Sequence, residues 1–172
     1  MNKKTILILL ICCIFCIIIA AIPLQQAIVF QPNYTNDKLA YIPVKNGDNF
    51  KIKYTHSIHL SDVIESYKVT LSQSIQQYEL VYEDFSIGMP ANAAAGEIFE
   101  QQDGKYYIKN MKLIFPFFHL RIGQVRANHR VIFKSKEYPL SRSLQPGISV
   151  KVEIRKLNFF EQWRGVNILE SL

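Results

Sequence analysis

The sequence predicts an all-β fold, a small β-sandwich or partly open β-barrel of antiparallel hairpins, preceded by one N-terminal transmembrane or signal helix. Three observations carry this. Apolar and polar residues alternate over several short segments, turn-forming residues separate those segments at close intervals, and no segment after the leader sustains a helical period. The chain has 172 residues, the length of one domain once the leader is set aside. A domain of this size buries enough surface to fold without disulfides. None is available to it, because Cys12, Cys13 and Cys16 all lie in the leader.

The leader comes first. Met1-Asn2-Lys3-Lys4 is a positive head, and residues 5–22 carry no charge before Pro23, Leu24 and Gln25-Gln26 close the segment. That uncharged run is 18 residues long, within the roughly 17–25 that cross a bilayer and longer than the core of most secretory signals. Ala20-Ala21 offers a cleavage point, although Ile22 fits it poorly. A retained anchor is therefore the favoured reading and a cleaved signal the alternative. Either way the two lysines stay inside and the remainder goes out, giving a single-pass cell-membrane protein with its C-terminal domain outside, or a secreted one if cut. Cys13 and Cys16 spell C-x-x-C, but within an apolar helix the motif lacks the βα setting of a redox site.

Residues 1–27 are thus read as signal or anchor, 28–48 as an extended lead-in, and 49–172 as the β-rich extracytoplasmic domain with a short C-terminal tail. In the lead-in, Pro32, Asn33, Asn36, Pro43, Asn46 and Gly47 leave room for one short strand near 39–44. The next two segments alternate strictly. Positions 50, 52, 54, 56 and 58 are apolar except for His56, and positions 63, 65, 67, 69 and 71 are apolar except for Glu65. The four residues His59-Leu60-Ser61-Asp62 suit the loop of a hairpin. A second hairpin is expected over 97–110 around Asp103-Gly104, because glycine supplies the positive φ of a tight turn. A third joins Arg130–Phe133 to 137–140 across Lys134-Ser135-Lys136, and 148–155 alternates cleanly after Pro146-Gly147. The tail from 158 reads as a short amphipathic helix with Asn158 as its cap.

The first hairpin holds the one constellation with chemistry in it. Closing it through a four-residue loop sets Ile58 against Val63, His56 against Glu65, Tyr54 against Tyr67, Ile52 against Val69 and Phe50 against Leu71. Directly opposed Cβ atoms lie roughly 4.5–5.5 Å apart, within reach of a histidine–carboxylate hydrogen bond. Burial penalises both charges, so mutual pairing is the expected solution. A structural polar pair and the polar floor of a ligand pocket both fit. A metal site from His56, Glu65 and His119 or His129 lacks any close ligand spacing, and neither a metal nor a cofactor is expected. Ser57 follows His56 in the same strand, so it points to the opposite face and does not complete a nucleophilic triad.

Two loops add candidates for ligand or partner contact. Gly88-Met89-Pro90-Ala91-Asn92 opens an unusually small, apolar stretch ending at Gly96, which permits close approach of another chain or ligand, or simply packs tightly. Arg126-Ala127-Asn128-His129-Arg130 is where two arginines and a histidine cluster, and the arginine fork suits a small organic anion. A solvated face is the plainer reading. Nucleic acid is not expected. Without Lys3 and Lys4 the chain has 18 basic residues against 14 acidic, a net +4, and no basic run forms a track.

Tyr54-Thr55-His56-Ser57, Glu65-Ser66-Tyr67, Ile87-Gly88-Met89-Pro90 and the stretch from Ile122 to Arg130 resemble the family catalogued as domain of unknown function 1850, over most of residues 48–155. Many relatives carry a further glycine where this chain has Ser86. Members are often encoded beside, or fused to, TAXI-type tripartite ATP-independent (TRAP) transporters, which pair a solute-binding protein with a membrane permease. The resemblance implies a membrane-tethered accessory or binding module of a solute-uptake system, without catalytic activity, whose partners are the permease or the solute-binding protein. It carries functional weight onto His56, Ser57 and Glu65. The alternatives are an extracytoplasmic hydrolase or metal-dependent enzyme using His56 and Glu65, and a structural envelope protein.

Overall fold

A computed structural model of the chain describes residues 2–33, 37–84 and 89–171. The uncharged leader forms α1 (Lys3–Ala21), a 19-residue helix of mean hydropathy 2.9 with no buried residue. At 1.5 Å per residue it is about 28 Å long, close to the thickness of a bilayer's hydrocarbon core. Pro23 follows, and the chain turns directly into strands.

Those strands are β1 (Gln25–Pro32), β2 (Ala40–Pro43), β3 (Asn49–Thr55), β4 (Asp62–Val69), β5 (Ile75–Tyr82), β6 (Ile98–Gln102), β7 (Lys105–Phe115), β8 (Phe117–Arg121), β9 (Arg130–Phe133), β10 (Lys136–Pro139) and β11 (Ser149–Leu157). A short helix α2 (Phe159–Arg164), the two-residue β12 (Val166–Asn167) and a 3-10 turn at Ile168–Glu170 end the chain. One sheet has the order β12-β2-β1-β11-β8 and the other β10-β9-β3-β4-β5-β7-β6. Among the described residues all pairings are antiparallel except β12 with β2, both sheets keep free edges and no barrel closes.

The two sheets face each other across one core. Ile28, Phe30, Ile42, Val150 and Val152 of the five-stranded sheet pack with Phe50, Ile52, Tyr67, Val131 and Phe133 of the seven-stranded one. The wider sheet extends past its partner. Over that overhang, Met89 and Ala93 pack on Val63, Leu80, Tyr82, Ile108 and Met111, and the Tyr82 hydroxyl donates to the Pro90 carbonyl.

Residues 28–48 supply two strands, against the single one expected near 39–44, and β1 begins at Gln25, before the division drawn at residue 27. The run Ala27-Ile28-Val29-Phe30 is fully buried. Ile28 and Phe30 face the main core, whereas Ala27 and Val29 join Tyr41, Leu157 and Leu39 on the other side. A strand covered on both faces has no alternation to announce it. β5 and β8 likewise have no counterpart in the sequence reading.

Other elements fall where the residues place them. Asp103 and Gly104 form the turn between β6 and β7 with φ of 51° and 76°, as a tight hairpin turn demands. Lys134 and Ser135 make the same turn between β9 and β10, at φ 48° and 63°. Asn158 caps α2 with a complete capping box: its side chain accepts from the Glu161 N–H at 2.9 Å, and the Glu161 carboxylate accepts from the Asn158 N–H at 3.0 Å.

The first hairpin forms, but in a different register. β3 pairs with β4 so that Phe50 opposes Tyr67, Ile52 opposes Glu65, Tyr54 opposes Val63 and Thr55 opposes Asp62. The loop is therefore residues 56–61, two longer than expected. It closes on itself through His56 N–H to the Ser61 carbonyl (2.8 Å) and Leu60 N–H to the His56 carbonyl (3.0 Å), with Leu60 at φ 58°. The displacement is even, so the same residues still face the core. Apolar matching distinguishes odd slips from even ones but cannot choose between two even registers.

Candidate polar site in the sandwich core

Pairing across the wider sheet sets Val131, Ile52, Glu65, Leu80 and Ile108 side by side in one row over five strands. Four of the five are buried hydrophobics. The carboxyl group in the middle sits where the sheet-covered core meets the part covered by Met89 and Ala93. Burial pushes the Glu65 pKa up, and the Tyr67 hydroxyl, which donates to its Oε2 at 2.7 Å, partly offsets that rise. Tyr67 is in turn raised far above the usual phenol range, by burial first and then by the carboxylate beside it.

Rings enclose this pair. Tyr67 stacks between Phe50 (5.2 Å) and Phe118 (5.3 Å), so its orientation is fixed from both sheets. One step along β3, Tyr54 stacks on His129 at 5.3 Å, and burial together with Glu65 raises its pKa also. His129 Nδ1 accepts from the Gly123 N–H at 3.1 Å, which assigns the proton of the neutral ring to Nε2. Burial lowers the His129 pKa, favouring that neutral form. The Gly123 backbone passes close to Ala127, where an added Cβ would stand 2.4 Å from the alanine methyl. The result is a carboxyl group, two phenols and an imidazole gathered together, with the carboxyl and one phenol joined by a hydrogen bond.

The expected His56–Glu65 pair is not formed. His56 lies four residues beyond the partner of Glu65, roughly 13 Å along the strand at about 3.3 Å per residue, and heads the loop instead. There its Nδ1 accepts from the Ile58 N–H at 3.4 Å and its ring lies 5.8 Å from that of His59. Ser57 is exposed in the same loop. An enzyme reading written on His56 with Glu65 loses its geometry.

The basic cluster also divides. His129, just before β9, is half-buried and stacked on Tyr54, while Arg130 heads the strand and pairs with Glu137. Arg130 binds Glu137 at 2.7 Å, holding that carboxyl below the usual range. It also donates to the Asn128 side-chain oxygen at 2.7 and 3.2 Å in the amide orientation that satisfies both groups. Lys53 bridges Asp62 (2.9 Å) and Glu137 (3.7 Å) nearby. Of the residues proposed for an anion, Arg126 stands exposed on the loop, apart from the other two. Asn128 is exposed at φ 39°. Met89 is half-buried over the overhang and Asn92 is exposed. Gly88, with Ser86 and Ile87, lies outside the described residues.

The structure does join two stretches that the sequence left separate. Thr55 N–H donates to the Ala127 carbonyl at 2.8 Å, tying loop 56–61 to loop 123–128. Together they form one tip, on which Ile58, Leu60 and Val125 are 65%, 58% and 88% exposed. Tyr54 and Tyr67 were visible in the same alternating row as Glu65. Their role became apparent only through the register and the opposing sheet.

Residues 50–140 match a family model described as Domain of unknown function (DUF1850). The match takes in nearly all of the seven-stranded sheet, β8, the Glu65 cluster and the tip, and it leaves out β1, β2 and β11. No curated protein matches the chain, and no solved structure does.

Proposed function

The chain belongs to the family described as Domain of unknown function (DUF1850), and on that premise we propose that it is a membrane-tethered, non-catalytic accessory module of a TAXI-type TRAP solute-uptake system. α1 holds the domain at the outer face of the cell membrane. The tip of loops 56–61 and 123–128 docks the permease or the solute-binding protein.

The observation that carries this reading is the apolar tip at the far end of the strands from α1. β3 follows β2 through Val44, whose N–H bonds to the Gln26 carbonyl next to the leader, and runs away from it to residue 55. Ile58, Leu60 and Val125 are thereby presented away from the helix. Exposed apolar side chains gathered on a loop tip, with His56 and Arg126 beside them, are what a protein–protein contact needs. The partner class is drawn from the family resemblance. An organic anion, if bound, would be met by Arg126 at the same tip, since Arg130 is engaged by Glu137.

Crosslinking in native membranes followed by purification of the chain tests this. Recovery of the permease or the solute-binding protein is expected, and its loss on replacing Ile58, Leu60 and Val125 by serine. Recovery of neither component from wild type refutes the reading and leaves a structural envelope protein as the better account.

A further inference from the structure

We propose that α2 is a second membrane contact: its aromatic face, with Leu24 and Leu71, rests in the headgroup region of the bilayer that α1 enters and seats the domain on the membrane surface. This rests on the reading of α1 as a membrane anchor and adds to it the surface of the domain that meets lipid.

The register places α2 there. Only residues 22–24 separate α1 from β1, a reach of about 10 Å at full extension. Gln25, the first residue of β1, pairs with Leu157, the last of β11, and α2 begins two residues later. The helix therefore starts one strand spacing from Gln25, close to the end of the span, and ends farther along the sheet, where Val166 pairs with Ala40. A cleft of about 520 Å3 between the two helices is lined by Cys16, Ile19, Leu24, Leu157, Phe159 and Gln162. Leu71 reaches the same end, because Gly47 N–H bonds to the Val69 carbonyl and Gln26 donates to Asn46.

The composition suits an interface. Phe159, Phe160 and Trp163 are 59%, 38% and 75% exposed, Leu24 69% and Leu71 86%. A six-residue helix is not stable alone. This one is held by the capping box at Asn158 and by the Arg155–Glu161 ion pair at 2.6 Å, not by burying its rings. Rings kept outside by such devices, with Lys45, Lys156 and Arg164 exposed around them, match the aromatic and basic belt of a membrane boundary. Tryptophan in particular favours that zone, one edge apolar and its N–H still able to reach water.

Trp163 is the only tryptophan in the chain, so its fluorescence reads the contact directly. The full chain is reconstituted in vesicles of phosphatidylcholine and phosphatidylglycerol in equal parts, with and without lipids brominated at defined depths. Blue-shifted emission is expected, quenched most strongly by bromines nearest the headgroup. In the double variant Phe159→Ser, Phe160→Ser that quenching should fall about twofold. Emission typical of indole in water, untouched by bromolipid and fully accessible to aqueous iodide, overturns the proposal. A blue shift that grows with protein density but ignores bromolipid also overturns it and identifies a second copy as the occupant. Alkaline carbonate extraction of the same vesicles reports on α1 separately. A chain that stays in the pellet with Trp163 unquenched defeats the α2 contact alone, whereas a chain that is released defeats the anchor reading.

Discussion

A carboxyl group set between Ile52 and Leu80 makes stability depend on pH with a definite sign. Burial raises the folded-state pKa of Glu65 above its unfolded value, so the folded chain holds that proton more tightly. Its contribution is complete below the unfolded carboxyl pKa and is lost as pH rises through the folded one. Glu65→Gln keeps an acceptor for Tyr67 but cannot ionise. Its stability relative to wild type is therefore expected to increase from about pH 4 to about pH 7, read as urea midpoints of the detergent-solubilised chain. A difference that stays constant with pH would place the carboxyl in water. Tyr67→Phe preserves the ring stack with Phe50 and Phe118 and removes only the hydroxyl, stranding Glu65, and is expected to cost about 1–3 kcal/mol. Tyr67→Phe should cost less in the Glu65→Gln background, where the group left without the hydroxyl carries no charge.

At the scale of elements, turns and caps carry local preferences that tertiary packing either uses or overrides. Lys134 and Ser135 occupy the left-handed region with side chains that disfavour it. Ser135→Gly is expected to raise stability by about 0.5–1 kcal/mol, visible as a higher melting temperature. A fall instead would mean that the serine makes a contact worth more than the strain. α2 depends on its cap in the opposite way. Asn158→Ala is expected to cost about 1 kcal/mol and to alter Trp163 emission, because the Glu161 N–H loses its side-chain acceptor. Asp103-Gly104, Lys134-Ser135 and Asn158 were all legible as a turn, a turn and a cap, because each acts on its own backbone within a few residues. β1 was not, since burial on both faces erased the period that marks a strand.

On the scale of the whole molecule, the sandwich has two unlike ends. α1, the start of α2 and Leu71 gather at one, and the 56–61 and 123–128 loops at the other. All three cysteines lie on α1, so thiol labelling follows the fate of the leader. In intact membranes a membrane-impermeant maleimide is expected to leave them unlabelled, with labelling after denaturation in SDS. A mature chain without any thiol after denaturation would instead show that the leader is cut, and the tether would fall with it.

Local chemistry set what the sequence determined alone: an apolar leader with lysines before it, hairpins closed by their own turn residues, a capped helix near the end, and an acid on an otherwise apolar strand face. These follow from the period of side chains along a strand and from backbone preferences over a few neighbours. Tertiary structure decided what stands around that acid. Two even registers bury the same faces, and the six-residue loop goes with the one that sets Ile52 against Glu65 and sends His56 to the tip. It also decided that His129 stacks on Tyr54 while Arg130 pairs with Glu137, and that loops far apart in the chain meet. Pairings between distant segments depend on which backbone groups close the sheet, and side-chain pattern alone does not encode that choice.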